Sequence, residues 1–174
     1  MSLPQLSTTR FSLIPWQNKA EQNIHLKEMM QDVKVMQYVR GYALNDDEVT
    51  ASFDKMLLNN DVNGLGYWLI YEADICIGMT LLKKCPTDDK SLDYNETGYW
   101  IKPAYWGRAI AAEVATRMVK YGFDTLKLPI IVAVADEENI GSIKSLEKAG
   151  LTRHGNINAY ELDLPFFKID NPNL

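Results

Sequence analysis

The stretch Tyr-Trp-Gly-Arg-Ala-Ile-Ala-Ala-Glu at residues 105–113 combines residue types that could seat an anion. A helix is expected to begin there. Its first turn has no Ser, Thr, Asp or Asn to cap it, and it carries Arg108 at the end where the helix dipole is already positive. The first N–H groups of a helix have no partner inside it, and the dipole adds roughly half a positive charge. A phosphate group satisfies both. Gly107, Ala109, Ala111 and Ala112 would let a bulky anion reach the backbone, with Arg108 as counter-charge. Alanine is also the best helix former, so a plain helix start with an exposed arginine is the competing reading. The segment lacks the Lys-Ser/Thr of a nucleotide-hydrolysing loop, and Gly64-Leu65-Gly66 lacks the third glycine of a dinucleotide fingerprint.

A seat of this kind needs a strand before it and a strand after its helix. Residues 91–101 read as the first, ended by Pro103, which discourages helix at Lys102. Residues 107–126 read as the helix, with Ile110, Val114, Ala115, Met118 and Val119 on one face. The run Pro-Ile-Ile-Val-Ala-Val-Ala from residue 129 is apolar throughout, as for a strand buried on both faces. Two strands joined by such a crossover are expected to be parallel neighbours. Ligands favour the carboxyl ends of the strands in units like this. Asp136-Glu137-Glu138-Asn139 opens a second helix, 140–149, closed by Gly150.

Upstream, a short strand around Phe11 and Leu13 leads to a helix over residues 17–30. A short helix follows, and then a third that starts at the acidic cap Asn45-Asp46-Asp47-Glu48. Residues 67–71 and 75–84 read as a hairpin. Two short strands, around residues 151–155 and 157–164, finish the chain, and the last residues are expected to fray. The order is β-α-α-β-β-β-α-β-α-β-β, a mixed sheet with helices on its faces.

With 174 residues, 47% hydrophobic and 24% charged, the chain is expected to form one soluble domain. A net charge of -5 gives no global reason to expect nucleic acid or an anionic membrane as partner. Cys76 and Cys85 make neither a disulfide framework nor a metal spacing, and read as reduced thiols. No signal peptide and no membrane-spanning run is visible, so a cytoplasmic location is expected.

Two segments carry a family resemblance: ETGYWIKPAYWGRAIAAEVATRMVKYGF and VAVADEENIGSIKSLEKAGL. Together they closely resemble the GNAT superfamily of acetyl-CoA-dependent N-acetyltransferases, and within it the ribosomal-protein N-terminal (RimJ/RimL) type. The family pattern is a strand E-x-G-Y-W, a Pro, then W-G-[KR]-G-x-A-x-E, and later E-N-x-x-S-x-x-x-x-E-K-x-G. The likeness covers nearly the whole chain, including its early segments. It implies an α/β fold: one GNAT-like domain over residues 1–174, with a mixed, mostly antiparallel sheet of six to seven strands. A central parallel pair and about four flanking helices complete it.

By this resemblance the cosubstrate is acetyl-CoA and no metal is needed. The pyrophosphate is expected on the backbone of Gly107, Arg108, Ala109, Ile110, Ala111 and Ala112 beside Trp106, and the pantetheine along Tyr99, Trp100 and Ile101. Asn139 and Ser142 are expected to face the thioester. Asn139 could equally be a helix cap, and Ser142 a surface residue. Ser142, or Tyr105, is the candidate partner of the departing thiolate. Glu96 is the candidate base, acting through water, against the alternative of an ordinary strand glutamate. Residues 38–42, with Arg40, and the final hairpin with His154, Asn156 and Tyr160 are expected to wall the acceptor. The acceptor is a primary amine, either a protein N-terminus or a small molecule, and the enzyme a monomer or homodimer. A module that binds acyl-CoA without turnover, or a domain for another phosphorylated ligand, are the competing functions. Ala109 stands where the family usually has Gly, and is expected to lie inside the helix with a helical φ. Leu151, where Phe is frequent, is expected to be a core substitution.

Overall fold

A computed structural model describes residues 2–89 and 91–174. It contains one eight-stranded sheet in the order β1-β2-β3-β4-β5-β6-β8-β7. The first two strands are β1 (Leu6–Ser7) and β2 (Ser12–Pro15). Helices α1 (Ala20–Met30), α2 (Val33–Met36) and α3 (Asp46–Asn59) follow. Next come β3 (Gly66–Glu72), β4 (Ile75–Lys84) and β5 (Asn95–Ile101). The chain closes with α4 (Ile110–Asp124), β6 (Ile130–Val134), α5 (Ile140–Lys148), β7 (Thr152–Ala159) and β8 (Leu162–Asp170). Neighbouring strands are antiparallel except β5 and β6, the parallel pair expected from the crossover.

The sheet is covered on both faces. Helices α4 and α5 pack through Val114, Met118 and Leu146 on a core with Trp68, Ile70, Ile77 and Ile131. On the other face α1, α2 and α3 bring Leu26, Met30, Val35 and Met56 against Trp16, Tyr67, Leu69 and Met79. Alternation along β3 sends Trp68 and Ile70 one way and Tyr67 and Leu69 the other, so this strand is buried on both sides. Helix α4 lies close on β6: a Cβ added at Gly122 would fall 2.5 Å from Ile131 Cδ1. The opening of α3 is as the sequence suggests. Asn45 and Glu48 form a reciprocal capping box.

Several boundaries differ from expectation. The sheet has eight strands rather than six to seven, because residues 6–7 pair with residues 12–13 in a two-residue edge strand. Helix α1 starts at Ala20, since Asn18 takes a left-handed φ of 54°. Buried Gln22 reaches back to bridge the Pro15 carbonyl and the Gln17 N–H. The last two strands are longer than expected, and Tyr160-Glu161 form the tight turn between them, at φ 55° and 63°. The chain is docked as far as Asn171, which is buried and bonds the carbonyls of Pro129 and Leu128, while residues 172–174 are exposed.

Candidate functional site

Strands β5 and β6 are in register only at Asn95–Ile131 and Glu96–Val132. Beyond that pairing they part, and β5 continues to Ile101 with an open side. A cleft of about 610 Å3 occupies the gap, a size typical of small-molecule sites. Tyr99, Trp100 and Ile101 form one wall, Trp106, Gly107, Arg108, Ala109, Ile110 and Ala111 the floor, and Asn139 with Ser142 the other wall. Val35, Tyr38 and Val39 overhang the mouth. The expected cosubstrate residues and Ser142 thus share one cleft, whereas Glu96 is not among its lining.

The floor is not a helix start of the expected kind. After the 3₁₀ turn Pro103–Tyr105, Gly107 takes φ 78° and Ala109 takes φ 57°, so Ala109 is the left-handed residue before α4 and not part of the helix. The expectation of a helical φ at Ala109 is therefore corrected. Two left-handed residues flanking Arg108 let the backbone curl so that successive N–H groups face one side. Among the described residues, the N–H groups of residues 107–112 have no hydrogen-bond partner; the first helical bond runs from Glu113 N to Ala109 O. The side chain of Arg108 turns away to a bidentate pair with Glu72, at 2.6 and 3.1 Å. The cleft rim keeps three further cations, Lys34, Lys144 and Lys148, against one acid, Glu138. None of the three lysines has a carboxylate within 4.0 Å among the described residues.

Lys102 N–H bonds Ile77 O, so strand alternation turns the backbone of Trp100 towards β4 and that of Tyr99 and Ile101 towards the cleft. The Ile101 carbonyl already accepts the Trp106 indole N–H at 2.8 Å. Trp100 therefore offers the cleft its side chain rather than its backbone. Tyr99 crosses the cleft: its hydroxyl lies 3.1 Å from Ser142 Oγ and 3.1 Å from the Ser142 carbonyl. Burial pushes the Tyr99 phenol up to about 12, partly offset by its hydrogen bonds with Ser142 and Ser145. It is a neutral donor near pH 7. Asn139 caps α5, its Oδ1 accepting from Ser142 N at 3.1 Å, and still faces the cleft.

Glu96 is deeply buried on the opposite face of β5. Its Oε1 meets the Lys83 ammonium at 2.9 Å and accepts a hydrogen bond from the Tyr160 hydroxyl. Among the described residues, its Oε2 has no hydrogen-bond partner. Burial, with the Glu96 charge beside them, raises the Tyr67 and Tyr160 phenols, and pushes the Cys85 thiol up to about 12. Glu96 is thus not a glutamate on a solvated face. Of the residues expected to wall the acceptor, Tyr160 reaches Glu96 and Tyr38 and Val39 reach the cleft mouth. Arg40 lies instead in a separate shallow groove with Tyr42 and Glu48. His154 and Asn156 are exposed on edge strand β7, bonded to Thr152 and Asp163.

Sequence reasoning missed Lys83 and the Tyr99 hydroxyl. Lys83 sits directly opposite Glu96 in the β4–β5 register, so counting that pairing would have found it. No sequence signal links Arg10 to this region, yet its guanidinium donates to the Arg108 carbonyl at 2.9 Å and pairs with Glu113 at 2.7 Å.

Known proteins resemble this chain in sequence and fold. Residues 10–152 match the model of the acetyltransferase (GNAT) domain family. An Aspergillus fumigatus protein named FsC-acetyl coenzyme A-N(2)-transacetylase is 30% identical over 156 residues, 86% of this chain and 65% of that one. The chain therefore spans about two thirds of that relative's length. A Bacillus subtilis protein named provisionally as a ribosomal N-acetyltransferase is 25% identical over 115 residues, 63% of this chain and 61% of that one. The solved acetyltransferase of Agrobacterium tumefaciens superposes with a TM-score of 0.82 at 23% identity, covering 97% of this chain and 95% of that one. Spermidine N-acetyltransferase of Vibrio cholerae, solved with CoA and spermine, superposes with a TM-score of 0.72 at 18% identity, covering 94% and 96%. With a family model spanning most of its length, and the parted parallel pair and open N–H turn in place, the chain belongs to the GNAT acetyltransferase family.

Proposed function

We propose that this protein moves the acetyl group of acetyl-CoA directly to a primary amine while both substrates are bound, as an N-acetyltransferase of the RimJ/RimL type. The observation that carries the reading is the run of unpartnered N–H groups over residues 107–112, opening into a cleft whose rim is cationic although the chain is net acidic. A pyrophosphate matches that chemistry. The backbone of Tyr99 and the N–H of Ile101, left free where β5 parts from β6, match the amides of a pantetheine arm laid alongside like an added strand.

Acetyl-CoA supplies an activated thioester, so transfer needs no protein nucleophile. A C–N bond forms to the acetyl carbon, the C–S bond breaks, and one amine proton is released. An N–H of β5 in the cleft is the donor for the developing oxyanion. Tyr99, a neutral phenol hydrogen-bonded to Ser142, is placed to give a proton or a hydrogen bond to the leaving sulfur. Ser142 then orients Tyr99 rather than acting alone. Glu96 takes the amine proton through water at its unpartnered Oε2. The acceptor is a protein N-terminal or small-molecule amine; the polyamine acceptor of the spermidine enzyme is one model of the second. An α-amine, ordinarily near pKa ~8, needs less help to be neutral than a side-chain amine near ~10.4.

The engagement of Glu96 by Lys83 and Tyr160 favours a second reading, a module that binds acyl-CoA without turnover. Calorimetric titration with acetyl-CoA, followed by thiol release across amines, peptides and polyamines, separates the two. Binding with turnover on one acceptor class is expected. Binding with no turnover across the panel supports the module. With an acceptor in hand, Glu96→Gln is expected to lower kcat/KM by about 100-fold or more. Unchanged activity over about pH 6–9 would remove Glu96 from the base role.

A further inference from the structure

The turn that floors the cleft holds an alanine in a conformation suited to glycine. Ala109 has φ 57° and ψ 23°, and no side chain caps it. The left-handed region crowds Cβ against the following carbonyl, so an alanine there reverts unless neighbours hold it.

Two ion pairs hold it, one on each side. Ahead of it, Arg108 makes the bidentate pair with Glu72 at the end of β3. Behind it, Glu113 in the first turn of α4 accepts from Arg10 twice, from Nε at 2.7 Å and from the backbone N–H at 3.0 Å. Arg10 closes the circuit by donating from its NH2 group to the Arg108 carbonyl, the oxygen of the peptide bond that enters Ala109. Each pair is partly exposed, with side chains 23–40% accessible. Neither alone is a strong anchor. Arg10 touches both sides of the turn and is fixed by two acceptors.

Resting on the acetyl-CoA reading above, we propose that Arg10 is a positioning residue. It fixes the left-handed peptide at Ala109, and so aims the N–H groups of residues 107–112 at the pyrophosphate. The clamp does for alanine what the freedom of glycine would do unaided. Arg10 itself does not contact the ligand: its guanidinium is committed to Glu113 and to the Arg108 carbonyl, and it does not line the cleft.

The test is a double-mutant cycle between Arg10→Met and Ala109→Gly, read as the Kd of CoA by calorimetry and as kcat and KM for acetyl-CoA. Arg10→Met alone is expected to raise Kd and KM about tenfold, equivalent to about 1.4 kcal/mol, with kcat within about twofold. Ala109→Gly alone is expected to lower the Kd, because glycine takes this left-handed φ without strain. In the Ala109→Gly background, Arg10→Met should cost less than about threefold, because glycine adopts the turn without the clamp. Arg10→Lys, which keeps the charge and loses the fork, is expected to fall between. Glu113→Gln, which releases Arg10 without removing it, should repeat the effect of Arg10→Met in weaker form. Equal loss in both backgrounds would overturn the proposal, as would a normal Kd in Arg10→Met. Absence of CoA binding by the wild type would overturn the acetyl-CoA reading together with it. Failure of the cycle with wild-type binding intact would overturn only the clamp.

Discussion

Tyr99 carries two proposed roles from one position. Its backbone faces the cleft because it is an odd-numbered residue of β5, and its long side chain carries the hydroxyl across to Ser142 in the first turn of α5. Removing the hydroxyl tests the second role alone. Tyr99→Phe is expected to lower kcat by about 10- to 100-fold, with KM for acetyl-CoA nearly unchanged, when thiol release is followed under saturating substrates. Ser142→Ala should cost less, since the Tyr99 hydroxyl keeps the Ser142 carbonyl as a partner. The reverse order would make Ser142 the proton donor and Tyr99 its support. The motif alone marks both positions. That the two hydroxyls meet at 3.1 Å is a fact of packing.

At the scale of elements, the turn over residues 107–109 is held from outside its own segment. The crossover β5-α4-β6 and the cap of α3 are legible in sequence, because they rest on local periodicity and on side chains within four residues. The clamp on the turn is not, because Arg10, between β1 and β2, meets Glu113 only when α4 packs on the sheet. Glu113 also gives the clamp a pH limit. Burial pulls its carboxyl upward, but hydrogen bonds from Thr8 and Arg10, together with the Arg10 charge, outweigh this and leave the pKa lowered. A carboxylate lowered in the folded state stabilises it above the unfolded value, near ~4.3, and loses that contribution as pH falls through the folded value. CoA affinity is therefore expected to be insensitive to Glu113 protonation at neutral pH and to drop only as pH falls below the ordinary carboxylate range. Titrating Kd against pH for wild type and Glu113→Gln checks this: the two curves should converge on the acid side. A constant ratio between them would show that Glu113 does not titrate with the clamp.

For the whole molecule, ligand binding and stability are linked. A ligand that binds only the folded chain stabilises it by about 2.7 kcal/mol at 100 times its Kd. For a chain of this size that is a rise in Tm of roughly 5–10 °C. CoA and acetyl-CoA are expected to give such a rise in a thermal-shift assay, and ATP and NAD to give little. No response to CoA would defeat the acetyl-CoA reading, and an equal response to ATP would make the cleft a general phosphate site. The sequence by itself determined the mixed sheet, the parallel pair and the helix that joins its two strands. Each of these is written in hydrophobic period, caps and motif spacing over short stretches of chain. The tertiary structure alone decided the left-handed turn at Ala109, the burial of Glu96 against Tyr160, and the docking of Asn171. Those depend on contacts between segments 36 to 103 residues apart. Charge pairs and backbone angles of that kind leave no period in a sequence, since they exist only once the sheet has set which distant side chains face one another.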